Sequence, residues 1–308
     1  MLATVNLSVL SMRSRDITDL LVLASLWGGS FLFIRMAVAD FGPAALMELR
    51  VGLSALVLLP VLIWQGKLKL LCTRWRAIMM IGVLNAALPF TLYAYAAGQL
   101  GAGFLSIANA VTPMWGAIIG WVWLRDRLAP LRVAGLALGF CGILVLVWDK
   151  LDFSAGGTGL AVLAALLAPI CYGVAANFTK RYLAGVDALT NTTGSMLSAS
   201  LLLLPFAIAF WPEHAAPFRA WGAAVLLAFG CTAYAYVLFF RLVVTIGPTG
   251  AVSVTFLVPI FSVCWGALLL DEAVTPDIIW GAAIVLVGTA FALGLVPTAR
   301  GAKGKRGR

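Results

Sequence analysis

The chain has 308 residues, of which 63% are apolar and only 11% charged, and it carries a net charge of +9. A soluble domain has about a quarter of its residues charged, and a chain this apolar cannot cover its surface with polar groups. A soluble enzyme, a nucleic-acid module and a disordered chain are excluded, which leaves a polytopic membrane protein, since lipid accepts apolar surface on every side.

Residues 1–11 are apolar but too few to span a bilayer, and Met12-Arg-Ser-Arg15 reads as a natural cytoplasmic start. The first long apolar run has no small-residue cleavage site behind it, so no signal peptide is expected. A membrane helix needs about 20 largely apolar residues, and backbone polarity must be satisfied within the segment. The runs predict ten spans, at about 20–39, 44–63, 76–97, 101–123, 131–148, 159–179, 189–210, 221–243, 249–270 and 277–296. The loops between them are short. The five cysteines match no zinc or redox spacing, and four lie in apolar spans, where they read as packing residues. No metal site, cofactor or catalytic group is expected.

Lysine and arginine in the loops set the orientation. With the N-terminus inside, the cytoplasmic set is Arg13, Arg15, Lys67, Lys69, Arg74, Arg76, Arg125, Arg127, Arg132, Lys180, Arg181, Arg241 and the tail residues Arg300, Lys303, Lys305, Arg306 and Arg308. The outer set is Lys150 and Arg219 alone, so both termini are placed in the cytoplasm. The cationic tail reads as an anchor on anionic lipid, and no basic stripe with interleaved aromatics points to nucleic acid.

The chain also resembles itself at a shift of 145–146 residues. Pro60 aligns with Pro205, and Trp27-Gly28 with Tyr172-Gly173, at 145. Pro113 aligns with Pro259, Asp126 with Glu272, Pro130 with Pro276, Gly135 with Gly281 and Gly142 with Gly288 at 146. Each half holds five spans, an odd number, so the second half enters the membrane from the opposite side. The fold expected is an all-α polytopic membrane protein of ten transmembrane helices in two inverted five-helix repeats. Its divisions are a cytoplasmic segment at 1–18, repeats at 19–148 and 159–297, an outer linker at 149–158 and a basic tail at 298–308.

Several motifs fall on this frame: Trp27-Gly-Gly-Ser-Phe31, Leu46-Met-Glu-Leu-Arg50, Thr112-Pro113, Trp123-Leu-Arg-Asp126, Val258-Pro259 and Leu270-Asp-Glu272 followed by Gly281. In order and spacing they resemble the EamA-type permeases of the drug/metabolite transporter superfamily over roughly residues 18–296. The resemblance implies ten helices in two inverted repeats, with spans 1, 3, 4, 6, 8 and 9 around a substrate cavity and spans 5 and 10 at the periphery. It also implies an inner-membrane carrier of amino acids, other metabolites or drugs, with relatives that carry nucleotide sugars or phosphorylated sugars.

Proline inside a helix frees the carbonyl four residues back. Those carbonyls belong to Asn85 (from Pro89), Asn109 (from Pro113) and Thr255 (from Pro259), each with a polar side chain beside it. Broken backbone at that depth must be protein-buried or line a wet cavity, so these positions are candidates for binding a polar group of a solute; a kink satisfied by a neighbouring hydroxyl is the plainer reading. Trp27, Tyr93, Tyr172 and Tyr234 are aromatic candidates in the same spans, suited to apolar solutes or to an ammonium by cation–π contact, with core packing as the alternative. The substrate-binding set is therefore Trp27, Asn85, Tyr93, Asn109, Pro113, Tyr172, Tyr234, Thr255 and Pro259.

Glu48 and Arg50 are the only opposed ionisable pair within one span, near its outer end. With Arg35, which is placed to pair with Glu48, they form either an outer ion-pair cluster or a gating and proton-coupling set. Asp126 and Glu272 end spans 4 and 9 as caps or gate contacts. Gly116-xxx-Gly120 and Gly135-xxx-Gly139 permit close helix approach, inside the chain or, more remotely, at a homodimer seam.

The leading function is a secondary transporter that exports a small amino-acid-like or neutral apolar solute by alternating access, coupled to a proton or an exchanged solute. No Walker A pattern is present, so ATP is not the direct energy source. A carrier of nucleotide sugars, phosphorylated sugars or lipids on the same fold is the alternative. An intramembrane enzyme is disfavoured, because the only histidine, His214, stands in an outer loop with no partner motif. A channel would need a pore loop or a charge ring.

Overall fold

A computed structural model of the chain describes residues 13–295. Residues 1–11, the expected start at Met12 and the basic tail from 298 lie outside the described residues. Apart from a short helical segment at Leu68–Thr73, helices occur in the order α1 (Ser14–Trp64), α2 (Trp75–Ala97), α3 (Ala102–Leu124), α4 (Pro130–Lys150), α5 (Gly159–Tyr182), α6 (Ala188–Ala209), α7 (Phe218–Gly247), α8 (Gly250–Leu270) and α9 (Pro276–Ala292). No strand occurs among the described residues.

Eight of these helices, α1 to α8, are long and apolar enough to cross a membrane; α9 is apolar but only 17 residues long. The difference from the ten expected spans has two sources. The first two expected spans both lie in α1, whose 51 residues would extend about 76 Å as one rod at 1.5 Å per residue. It is not one rod. Gly42 breaks it at φ 71°, ψ 164°, a region open in practice only to glycine. Helix α7 demonstrates the consequence. It runs antiparallel to the first arm, with Arg241 at Asp19 and Tyr236 at Trp27. The first arm ends with Phe41 at Trp221, and past the break the contacts move back along α7, with Ser54 at Ala228, so the second arm runs parallel to it. The chain therefore reverses at Gly42, and Pro43, lacking an N–H, starts the return arm. The second source is α9, which closes in a turn at Leu293–Gly294, with Gly294 at φ 72°.

Backbone irregularities recur at the offset of the internal repeat. Wide π-helical turns occupy Val83–Ala87 in α2 and Leu226–Tyr234 in α7. Left-handed residues Arg125 (φ 58°) and Asp271 (φ 53°) end α3 and α8, 146 positions apart. The halves also interlock symmetrically. A Cβ on Gly28 would stand 2.9 Å from the backbone of α8 at Val258 and Ser262, and one on Gly173 2.9 Å from that of α3 at Trp115 and Gly116. So the first arm of α1 packs on α8, and α5 on α3, each contact crossing from one repeat to the other. The glycines are required there because in lipid the packing of backbone on backbone, not water exclusion, holds helices together.

Helices α4 and α9 pack along their glycine stripes, Gly135 against the Gly288 carbonyl and Gly142 against that of Gly281. Gly135-xxx-Gly139 is thus consumed inside the chain, and so is Gly116-xxx-Gly120, which lies under Gly173 and Asn177. Neither stripe is free to form the dimer seam that spacing alone allowed. Polar ties reinforce the crossings. Asn177 Nδ2 donates to the carbonyls of Gly116 and Gly173, both at 2.9 Å, Ser262 to Ala102 at 2.9 Å and Thr289 to Ala110 at 3.2 Å. Interhelical bonds in lipid average about 0.6 kcal/mol each. Asn177→Ala, which removes one such interhelical bond together with an intrahelical one to Gly173, is expected to cost about 0.6 kcal/mol and to lower the melting midpoint in detergent; an unchanged midpoint would show that this bond adds nothing to the crossing.

Candidate functional site

A cavity of about 520 Å³ lies where the two halves cross. Of the nine residues expected to bind solute, Trp27, Asn85, Tyr93, Asn109, Pro113, Tyr172 and Thr255 line it. Tyr234 does not: its side chain is half exposed on the outside of α7. Two positions along the helix, on its other side, Tyr236 lines the cavity instead. Pro259 is buried in α8 and also stands outside the lining, which takes Thr255 and Val258 from that helix.

Local backbone explains why so many polar groups converge. The π-helical turn in α2 contains Asn85 and precedes Pro89. Helix α3 is interrupted between Asn109 and Thr112, with Pro113 in the first turn of its second part. Helix α8 starts anew at Val254, after Ser253, one residue before Thr255. These are the proline-linked irregularities expected from the sequence, and they flank the cavity on opposite sides. Tyr93 Oη donates to Asn109 Oδ1 at 3.1 Å, and Thr112 Oγ1 donates to the same oxygen at 3.3 Å.

Aromatic rings form most of the wall. Trp27 meets Tyr236 and Phe239 at centroid distances of 6.2 and 5.4 Å. Tyr93 lies edge-on to Phe31 at 5.4 Å and stacks with Tyr172 at 6.4 Å. Trp27 and Tyr172, equivalent by the repeat, come from the two halves to opposite parts of one wall.

The three ionisable residues placed together by the sequence are separated by the structure. Arg35 does not pair with Glu48. Its Nε donates to Glu272 Oε1 at 3.1 Å and its Nη1 to the Ala97 carbonyl at 2.6 Å. Glu272 also accepts from the Ala102 N–H at 2.9 and 3.0 Å, capping α3 rather than its own helix. Glu48 points away from the cavity into a groove between the second arm of α1 and α6, where Ser200 donates to it at 2.6 Å. Arg50 lies neither at the rim nor against Glu48; it is 7% exposed and lines the cavity. Two residues along a helix turn the side chain by about 200°, enough to send Glu48 outward and Arg50 inward.

The two ends of the cavity differ. Toward the face opposite the termini, the lining stops at Ile34, Phe90 and Ser106, and the Arg35–Glu272 pair lies beyond it. Toward the face of the termini it continues to Thr179, Asn191 and Val252. There Lys180 pairs with Asp126 at 2.8 Å. By the repeat this pair is the counterpart of Arg35–Glu272. Its side chains are 59% and 50% exposed, against 33% and 19% for Arg35 and Glu272. The cavity is thus closed on one face and open on the other.

Sequence reasoning missed three things. It confined the lining to six spans, whereas Arg50 from the second arm of α1 and Asn191 from α6 also reach it. It read Lys180 only as a loop cation, although the shift of 145 that aligns Trp27 with Tyr172 also aligns Arg35 with Lys180. It left Asn177 unremarked in an apolar run.

Comparison with known proteins adds the following. The model of the EamA-like transporter family matches residues 17–148 and again residues 159–294. The uncharacterized transporter YvbV of Bacillus subtilis is 26% identical over 293 residues, covering 91% of this chain and 92% of that protein. An uncharacterized transporter of Archaeoglobus fulgidus is 21% identical, covering 85% and 92%. A probable terminal-alkyne amino-acid exporter of Streptantibioticus cattleyicolor is 24% identical, covering 89% and 92%. A protein of known crystal structure superposes with a TM-score of 0.63 at 19% identity, covering 92% of this chain and 98% of its own, a likeness of fold.

Proposed function

The chain belongs to the EamA-like transporter family, and from that premise we propose that it is a secondary transporter that exports a small, amino-acid-like solute by alternating access. In this reading α1 makes two passages and α9 one, which gives ten, with both termini on the cytoplasmic face of a bacterial inner membrane. The observation that carries it is the pair of repeat-related ion pairs at the two ends of one cavity, Arg35–Glu272 drawn in and Lys180–Asp126 exposed. Two similar halves of opposite orientation can exchange conformations. The exchange would release Arg35–Glu272 and draw Lys180–Asp126 in, exposing the cavity to the opposite face. The resemblance to a probable amino-acid exporter supports the solute class. A nucleotide-sugar or sugar-phosphate carrier is less favoured, because a multiply charged phosphate needs several cations and Arg50 alone lines the cavity among the described residues.

The test is transport into vesicles containing the purified protein, across a panel of amino acids and drugs, with and without a pH gradient. Trp27→Ala removes a ring that contacts both Tyr236 and Phe239, and Asn109→Ala frees the hydroxyls of Tyr93 and Thr112. Each variant is expected to lower the rate about tenfold or to alter selectivity, the effect of roughly 1.4 kcal/mol at the site. Unchanged rates and selectivity in both would refute the placement of the site. A pH gradient that drives uptake would assign proton coupling, and acceleration by solute on the far side would assign exchange.

A further inference from the structure

The charge balance inside the cavity is one-sided. Arg50 is its only charged lining residue, and no carboxylate lines it among the described residues. The five ion pairs of the described residues engage Arg35, Lys67, Lys150, Lys180 and Arg241, and none engages Arg50. The guanidinium is nevertheless held firmly. Its Nε donates to Thr232 Oγ1 at 3.0 Å, and Thr232 in turn donates to the Leu227 carbonyl at 2.9 Å, in the π-helical turn of α7. Its carbon stands 3.7 Å from the centroid of the Phe90 ring. That leaves both Nη groups without a hydrogen-bond partner among the described residues.

Such an arrangement is costly unless something completes it. A buried ion without a counterion carries a penalty of several kcal/mol, and the stacking on Phe90 returns only about 2 kcal/mol. A guanidinium fixed by its Nε and its face, with its Nη edge free, is shaped for bidentate capture of a planar carboxylate. We propose that the solute is an organic monocarboxylate, bound through its carboxylate to the Nη edge of Arg50 with its apolar body among Trp27, Phe31 and Phe239. The inference rests on the transporter reading above and narrows its solute class. Neutral apolar solutes, which the sequence left open, and cations fall outside it, since the first offer Arg50 no counter-charge and the second would meet it with no acid to offset the repulsion. Arg50 also sets the number of negative groups at one, because one buried guanidinium balances one negative charge. An α-amino group is compatible: the faces of Tyr93 and Tyr172 and the amide oxygens of Asn85 and Asn191 remain to receive it.

The test is a matched comparison of acids with their amides. Carboxylates from acetate to 3-phenylpropanoate, with leucine and phenylalanine, are each compared with the corresponding primary amide, which has the same shape and no negative charge. Thermal stabilisation of the detergent-solubilised full chain reports binding, and counterflow in proteoliposomes reports transport. At least one acid with an apolar body is expected to stabilise the wild type, and its amide is expected to be at least about tenfold weaker, the loss of a charged hydrogen bond. Arg50→Gln is expected to abolish the preference for acid over amide, and Arg50→Lys to restore part of it. Acid and amide acting alike on the wild type, or no stabilisation by any acid, would overturn the proposal, and this comparison stands even if Arg50→Gln fails to fold. Transport without charge preference would overturn the proposal and leave the transporter reading intact. Acid-selective binding without transport of any solute would uphold the Arg50 site and refute the transporter reading.

Discussion

Glu272→Ala is expected to raise the exposure of the closed end of the cavity by about 5–30-fold, the population change that one or two kcal/mol produces. The carboxylate does two things at once. It caps the N-terminus of α3 through the Ala102 N–H and it holds Arg35. Loss of an N-terminal cap costs about 1 kcal/mol, and the ion pair, partly withdrawn from water, adds to that. The seat is tight: a Cβ on Gly101 or Gly266 would come within 2.8 or 2.6 Å of the carboxylate. Without it, Arg35 retains the Ala97 carbonyl alone. The measurement is the rate at which a membrane-impermeant maleimide, present only on the face opposite the termini, reacts with Ile34→Cys in a chain whose native cysteines are replaced. Ile34 is 1% exposed and lines the cavity next to Arg35. Asp126→Ala is the internal control. Its pair with Lys180 is largely exposed, a surface contact worth less than about 1 kcal/mol, so its effect on the labelling rate is expected to be small. Equal effects from the two substitutions would mean that the closed end is held by something other than Arg35–Glu272.

Gly288→Val is expected to cause the largest loss of stability. A Cβ at that position would overlap the backbone N and Cα of Gly139 and come 2.8 Å from the Gly135 carbonyl. Backbone cannot rotate away as a side chain can. Overpacking already costs about 1–3 kcal/mol where side chains can adjust, and here α4 and α9 must separate along their stripe. The expected outcome is a sharply lower melting midpoint and a smaller monodisperse fraction on size-exclusion chromatography. Gly222→Ala offers the contrast. No atom lies within 4 Å of a Cβ there, and alanine gains about 1 kcal/mol over glycine in a helix interior. If the two substitutions behaved alike, close approach of α4 and α9 would not be what holds that seam.

Much of this could be read in the chain. Apolar runs and charge placement located the helices to within a few residues, apart from the ends of the first and last. The repeat was visible in Pro113/Pro259, Gly135/Gly281 and Asp126/Glu272, because prolines and close-packed glycines are fixed by backbone geometry that both halves share. The polar residues beside the prolines stand out in the chain for the same reason: a missing N–H is a local fact. Tyr234 stands outside the cavity lining because it closes a π-helical turn, which does not obey a simple helical period, and Pro259 stands outside it while Thr255 and Val258 of the same helix line it.

The ionisable residues mark the boundary between local and global information. Sequence alone determined that Arg35, Glu48 and Arg50 had to lie in or near apolar spans, because their neighbours on both sides are apolar. Which of them faced which required the crossing of the halves. Arg35 reached across 237 positions to Glu272, Glu48 was turned to α6, and Arg50 was left inside the cavity without an acid. Helix period fixes a side chain's direction only relative to its own axis; the partner it finds depends on where every other axis lies, and that was settled only when the two halves packed.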